Sequence, residues 1–281
     1  MTNVAQPIIG YKVPRHISAT VSVPQTVVET DEQIEARLFD RFSVLTQLTQ
    51  ACILGHSRAL IVSGPPGLGK SYTVEEELAK WNADGENYCI TKGYVRSTGL
   101  YKLLYKYKDA GQVLVFDDAD AVFYDDVSLN LLKTVCDTTE KRTVSWLAET
   151  KMTDDNDDKI PRSFDFEGTI IFITNLDFDD LIRKGHKLAP HLQALVSRSH
   201  YIDLDIKTKR DYLVRIHQVL KQGMLGHLSS EQRDDITSFM KDKQNSLREL
   251  SLRMAIKLAS IRTSTDHDWK KVAMITCCRS T

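Results

Sequence analysis

Gly64-Pro65-Pro66-Gly67-Leu68-Gly69-Lys70-Ser71 decides the fold. The stretch fits G-x-x-x-x-G-K-[ST], and each position has a physical task. The glycines let the backbone wrap closely enough for successive N–H groups to converge on phosphate oxygens. A helix that starts at the end of such a turn offers its positive N-terminal end to the same anion. Lys70 can reach the β- and γ-phosphates, and the Ser71 hydroxyl suits Mg²⁺. The flanks agree with this reading. Ala59-Leu60-Ile61-Val62 is a short apolar run of the kind that forms a buried parallel strand, and Lys70 to Trp81 reads as a helix. A Gly-rich loop that matches by chance rarely has both flanks in place.

A second signal lies about 45 residues further on. Val113-Leu114-Val115-Phe116-Asp117-Asp118-Ala119-Asp120 is an apolar strand that ends in carboxylates. Asp117 is positioned to hold Mg²⁺ through water, and Asp118 to polarise an attacking water as a general base. An apolar run ending in Asp-Asp says little alone; after a phosphate-binding turn it says much more.

Outward from these two points, strands and helices alternate. Residues 1–30 carry Pro7, Pro14 and Pro24 and read as an extended arm. Asp31 is placed to cap a helix that runs to about Leu54, with Ile34, Leu38, Phe42, Leu45 and Leu48 on one stripe. Further strands are expected at about Tyr88–Val95, Gln112–Phe116, Thr169–Thr174 and Tyr201–Leu204, and a hairpin between Val144-Trp146 and Ser163–Phe166. From Lys207 the pattern is helical, at about 209–222, 230–242, 246–262 and 267–276. This is an α/β chain with a parallel, doubly wound sheet and an all-helical C-terminal part, divided as 1–30, 31–205 and 206–281.

The motifs resemble those of the AAA+ ATPases. Gly64–Ser71 is similar to their Walker A motif and Val113–Asp120 to their Walker B. Ile170-Ile171-Phe172-Ile173-Thr174-Asn175 resembles the sensor 1 strand, with Asn175 at its polar tip. Ala194-Leu195-Val196-Ser197-Arg198 resembles the arginine-finger segment, and Ser246-Leu247-Arg248-Glu249-Leu250 resembles the sensor 2 segment at the opening of a lid helix. The likeness spans about residues 35–262. It implies a five-stranded sheet in the order 5-1-4-3-2, a helical lid, and a nucleotide sandwiched between neighbouring subunits of a homo-oligomer. It implies ATP held by Gly64, Pro65, Pro66, Gly67, Leu68, Gly69, Lys70, Ser71 and Tyr72, with Mg²⁺ on Ser71 and Asp117. It implies catalytic roles for Asp118, Asn175, Arg198 and Arg248. Plainer readings exist: Asn175 as a turn cap, Arg198 as a surface arginine, Arg248 paired along its helix. Arg183, Arg142 and Lys141 are lesser candidates for contact across the subunit boundary. The family usually has Asp-Glu where this chain has Asp117-Asp118, one methylene shorter, which predicts slow hydrolysis unless Asp120 helps. The short format and the segments Leu129–Lys133 and Ser163–Gly168 resemble ATPases of bacterial viruses.

What the motor acts on is less legible. The segment Lys92-Gly93-Tyr94-Val95-Arg96-Ser97-Thr98-Gly99-Leu100-Tyr101, followed by Lys102, Tyr105, Lys106, Tyr107 and Lys108, interleaves bases with tyrosines. It fits a nucleic-acid track, a polypeptide grip, or an amphipathic helix that buries Leu100, Leu103 and Leu104. The compact build and Ser197-Arg198-Ser199 favour a loader or motor of DNA replication or recombination. A protein remodeller and a slowly hydrolysing assembly switch are the alternatives, and a small-molecule kinase is disfavoured by the helical tail.

Charge is balanced overall, 37 basic against 38 acidic residues, yet the part from Asp205 on has 15 Lys/Arg against 9 Asp/Glu. That tail suits either nucleic acid or an acidic neighbour. Five cysteines with no C-x-x-C pair point away from zinc or disulfides and toward a reducing cytoplasm, that of the host for a viral protein. No run is long and apolar enough for a membrane span, and Met1–Gly10 does not read as a signal peptide. The acidic stretch Asp154-Asp155-Asn156-Asp157-Asp158 reads as a loop without calcium-site spacing.

Overall fold

Residues that are apolar at every position of a short run can satisfy a strand only if both faces are covered. In the computed structural model, which describes residues 29–148, 151–154, 156–265 and 268–280, three such runs form the centre of the sheet. They are β1 (Ala59–Ser63), β3 (Val113–Asp117) and β6 (Thr169–Thr174), each buried along its whole length. The edge strands are β2 (Tyr88–Lys92) and β7 (His200–Asp203). All pairings are parallel and the order is β2-β3-β6-β1-β7. Counting only these five strands, this is the expected 5-1-4-3-2. β4 (Thr143–Ser145) and β5 (Ser163–Asp165) form the expected antiparallel pair beside it.

Side chains alternate across the sheet as the strand repeat requires. Leu60, Val62, Val113, Val115, Ile171 and Ile173 point to one core, shared with α1 (Asp31–Ile53), α2 (Lys70–Trp81) and the C-terminal helices. Ala59, Ile61, Leu114, Phe116, Ile170 and Phe172 point to the other, closed by α3 (Ser97–Lys106), α4 (Asp126–Val135), α5 (Phe178–Arg183) and α6 (Ala189–Val196). The short α5, capped by Asp177, has no counterpart in the sequence reading. The C-terminal helices are α7 (Lys209–Lys221), α8 (Ser230–Asp242), α9 (Leu252–Ser264) and α10 (Trp269–Cys277). The expected boundary at 205/206 falls in the β7–α7 connection, and packing crosses it: Arg37 of α1 bonds the Asp205 carbonyl at 2.7 Å and the Asp211 carboxylate at 2.9 Å.

Three expectations change. The cap of α1 is Thr30, not Asp31, because Thr30 and Gln33 form a reciprocal capping box. β2 stops at Lys92, where Gly93 turns at φ +88°, rather than at Val95. α9 opens at Leu252 with Ser251 as its cap, not at Ser246. Residues 246–248 instead pair with the end of the chain: Arg248 N donates to Cys277 O at 2.9 Å and Arg279 N to Ser246 O at 2.8 Å. The expected N-terminal arm lies outside the described residues except for its last two. Among the described residues no helix is long and apolar enough to cross a membrane.

Candidate functional site

The turn between β1 and α2 lies at the carboxyl end of the sheet, where parallel α/β folds place ligands. Gly67 stands at φ +74°, and a Cβ there would lie 2.8 Å from the Ser251 Cβ. The Gly67 carbonyl accepts the Leu252 N–H at 2.7 Å, so the turn is pinned against the first residue of α9. Gly64 backs onto Leu204, and Leu68 is buried beneath the turn.

Lys70 is buried, and its ammonium donates to Gly64 O at 2.6 Å, Pro65 O at 2.8 Å and Asn175 Oδ1 at 2.9 Å. All three acceptors are neutral. Burial pulls its pKa down to about 8, against the attraction of Asp118, Asp117 and Asp120 and with a push from Arg253. A buried cation with only neutral acceptors is placed to receive an anion.

Ser71 Oγ donates to Asp117 Oδ1 at 2.9 Å, and Asp117 is buried at the end of β3. These two oxygens fit the partial set with which a protein holds Mg²⁺ against substrate phosphates. Asp118 follows at φ +52°, a backbone region Asp tolerates better than most residues, and accepts the Asn175 amide at 2.7 Å. Asp120 is engaged elsewhere: it accepts the Thr174 hydroxyl at 2.6 Å, and burial raises its pKa despite that bond.

Part of this set lines a cleft of about 800 Å³; Gly64, Pro65, Leu68, Asp117 and Asp120 lie behind its wall. Pro66, Gly67, Gly69, Lys70, Ser71, Tyr72, Asp118 and Asn175 are on its wall, with Tyr72 largely exposed. The far end is apolar, between Phe39 and Phe42 of α1, Val219 of α7, Met224 in the turn after it, and Ile256 of α9. The volume and the mix of apolar wall with few convergent polar groups suit a nucleotide. Arg215 of α7 also lines the cleft; its guanidinium stacks 3.3 Å from the Phe42 ring centre and bonds Gln218 at 2.7 Å.

Two predicted arginines are not in the cleft. Arg198 bonds Ala194 O at 2.8 Å and faces Asp137 at 3.5 Å, beyond α6. Arg248, expected at the cleft, lies off it as well. Because its segment pairs with the C-terminal end, its side chain turns to Thr276 O at 3.4 Å, and Arg253 in the first turn of α9 lines the cleft instead. The signal for Arg253 was Ser251, a good helix cap two residues before it. Arg142 is also corrected: it is buried and donates to Val135 O and Gly168 O of the same chain. Lys141 and Arg183 pair locally with Asp165 and Asp180.

The loop after β2 departs from a continuous basic and aromatic track. Tyr101 is buried and donates to Pro161 O at 2.9 Å, and Tyr105 packs on Phe164. Of the three leucines the amphipathic reading buries, Leu100 and Leu104 are buried and Leu103 only partly so, while Tyr94 stays exposed near Arg96. The acidic loop closes on itself: Asp154 Oδ1 accepts Asn156 N and Asp158 N, each at 2.9 Å; Asp155 lies outside the described residues.

No family model matches the chain. It is 39% identical over 257 residues to an uncharacterized 36.7 kDa protein from the nrdC-mobD intergenic region of Enterobacteria phage T4, across 89% of this chain and 77% of that protein. In structure it is similar to RuvB of Thermotoga maritima, a Holliday junction branch migration motor, with a TM-score of 0.50 at 15% identity over 84% of this chain and 68% of that one. Domain III of the T. maritima replication initiation protein DnaA gives a TM-score of 0.47 at 13% identity, over 85% of this chain and 90% of that one.

Proposed function

We propose that the chain, which belongs with its uncharacterized phage T4 relative and shares the fold of RuvB, is an AAA+ ATPase that binds Mg-ATP in the cleft between the turn at 64–71 and α9 and hydrolyses it as one subunit of a homo-oligomeric DNA motor or loader. The observation that carries the ATPase reading is the joining of Lys70, Asn175 and Asp118 in one hydrogen-bonded chain, beside the Ser71–Asp117 pair, at the carboxyl ends of adjacent strands.

Each residue has a role in that reading. Lys70 leaves its neutral acceptors for the β- and γ-phosphates. Ser71 and Asp117 would hold Mg²⁺, which would supply charge neutralisation on the same phosphates. Asp118 takes the proton of the attacking water, and Asn175 orients Asp118 and that water. Arg253 reaches the phosphates from α9, the part assigned to Arg248 from sequence. Arg198, outside its own cleft, serves the ATP of a neighbouring subunit. The apolar end between α1 and α7 takes the base.

DNA is the first substrate to test because the RuvB structure with the same fold is a branch migration motor. Phosphate release from ATP by the purified chain, with and without Mg²⁺ and DNA, tests the reading. Magnesium-dependent turnover raised by DNA and lost in Lys70→Ala is expected. Stimulation by unfolded polypeptide in place of DNA would move the assignment to a remodeller.

A slowly hydrolysing switch has its own support. Asp118 is a methylene shorter than glutamate, and one of its oxygens is already committed to Asn175. Faster turnover in Asp118→Glu than in wild type favours this reading; slower turnover argues against it.

A further inference from the structure

Lys92 closes β2 and stands in register beside Asp117, the last residue of β3. Its ammonium lies 3.1 Å from Asp117 Oδ2 and 2.7 Å from Glu75 Oε1. The other Asp117 oxygen accepts the Ser71 hydroxyl. One buried carboxylate therefore holds both the hydroxyl assigned to magnesium and a resident cation. Neither Lys92 nor Glu75 lines the cleft. The Lys92 side chain is 58% exposed, so it can leave Asp117 without stranding its charge in an apolar interior. Glu75, on α2, is an alternative acceptor already in contact.

We propose that Lys92 is a positioning residue of the magnesium site, competing with the divalent ion for Asp117, and that Glu75 takes over the ammonium when the ion binds. The inference rests on the Mg-nucleotide reading above. A unit positive charge beside the carboxylate repels an arriving dication and screens the charge that attracts it. Removing the lysine charge strengthens metal binding. Removing the Glu75 charge leaves the ammonium wholly on Asp117 and weakens it. Solvent around a half-exposed side chain keeps each effect to about fivefold.

Binding of a fluorescent ATP analogue to the full chain, followed across magnesium concentrations and in excess chelator, tests this. The half-saturating magnesium concentration should fall about fivefold in Lys92→Met, rise by a similar factor in Glu75→Gln, and stay near wild type in Lys92→Arg. Chelator-only affinities should match across the set, which a merely structural role for Lys92 would not predict. Should Lys92→Met fail to fold, Glu75→Gln decides alone. Unchanged magnesium dependence, or shifts in the same direction for both charge-removing variants, overturns the inference while leaving the site reading standing. A wild-type protein whose nucleotide binding ignores magnesium overturns the site reading and the inference with it.

Discussion

The Asn175 amide donates to the Asp118 carboxylate at 2.7 Å, across the gap between the carboxyl ends of neighbouring strands β6 and β3. Its carbonyl oxygen accepts from Lys70 at the same time. Asn175 thus sets the spacing between Asp118, the proposed base, and Lys70, the proposed phosphate ligand. Asn175→Ala should lower ATP turnover about a hundredfold, because small displacements of a reacting group are costly. Nucleotide affinity should fall far less, by about tenfold, the low end of what one charged hydrogen bond is worth. Phosphate release and equilibrium binding on the same preparation separate the two; undiminished turnover would remove Asn175 from the chemistry.

Arg253 and Arg248 are five positions apart and face different surroundings. Arg253→Ala should weaken nucleotide binding by about tenfold or more, since it removes a cation from the phosphate end of the cleft. Arg248→Ala should leave binding unchanged and stability within about 0.5 kcal/mol. Calorimetric titration with an ATP analogue distinguishes them, and a loss confined to Arg248→Ala would reverse the assignment.

Arg198 is held by Ala194 and Asp137 and takes no part in lining its own cleft. Arg198→Ala should bind ATP normally and turn it over hardly at all. Mixing it with Asp117→Asn protein should restore part of the rate, because some shared sites then pair an intact cleft with an intact finger. Absence of recovery at every mixing ratio would place catalysis within a single subunit.

Burial pushes the thiols of Cys52 and Cys136 up to about 12, so they stay protonated when an exposed thiol would ionise. Thiolate is the reactive form, and Cys89 on edge strand β2 is only half buried. In mildly alkaline buffer an alkylating reagent should reach Cys89 first, and Cys52 and Cys136 only on unfolding. The sign of the linked stability follows. The unfolded chain loses these protons above about pH 9, whereas the folded chain keeps them to about 12. Stability is therefore intact below pH 9 and declines above it, by up to about 1.4 kcal/mol per pH unit for each thiol. Urea unfolding on either side of pH 9, with Cys136→Ala as comparison, checks the slope; rapid labelling of Cys52 or Cys136 in the folded protein would contradict the burial.

The local motifs were legible because their physics is local. A tight glycine turn between an apolar run and a helix, and an apolar run ending in Asp117-Asp118, specify strand, turn and anion site within a few residues of chain. The order of the five strands followed once those motifs were placed in their family. Tertiary structure alone decided which distant charges meet. Arg253 rather than Arg248 reaches the cleft because residues 246–248 pair with a segment some thirty positions away, which delays the start of α9 to Leu252. Lys92 finds Asp117 only through the register of β2 on β3, and Tyr101 is withdrawn from the surface by packing beside Pro161 and Phe164. Periodicity tells a residue which face of its element it occupies. What lies opposite that face depends on contacts between segments far apart in the chain.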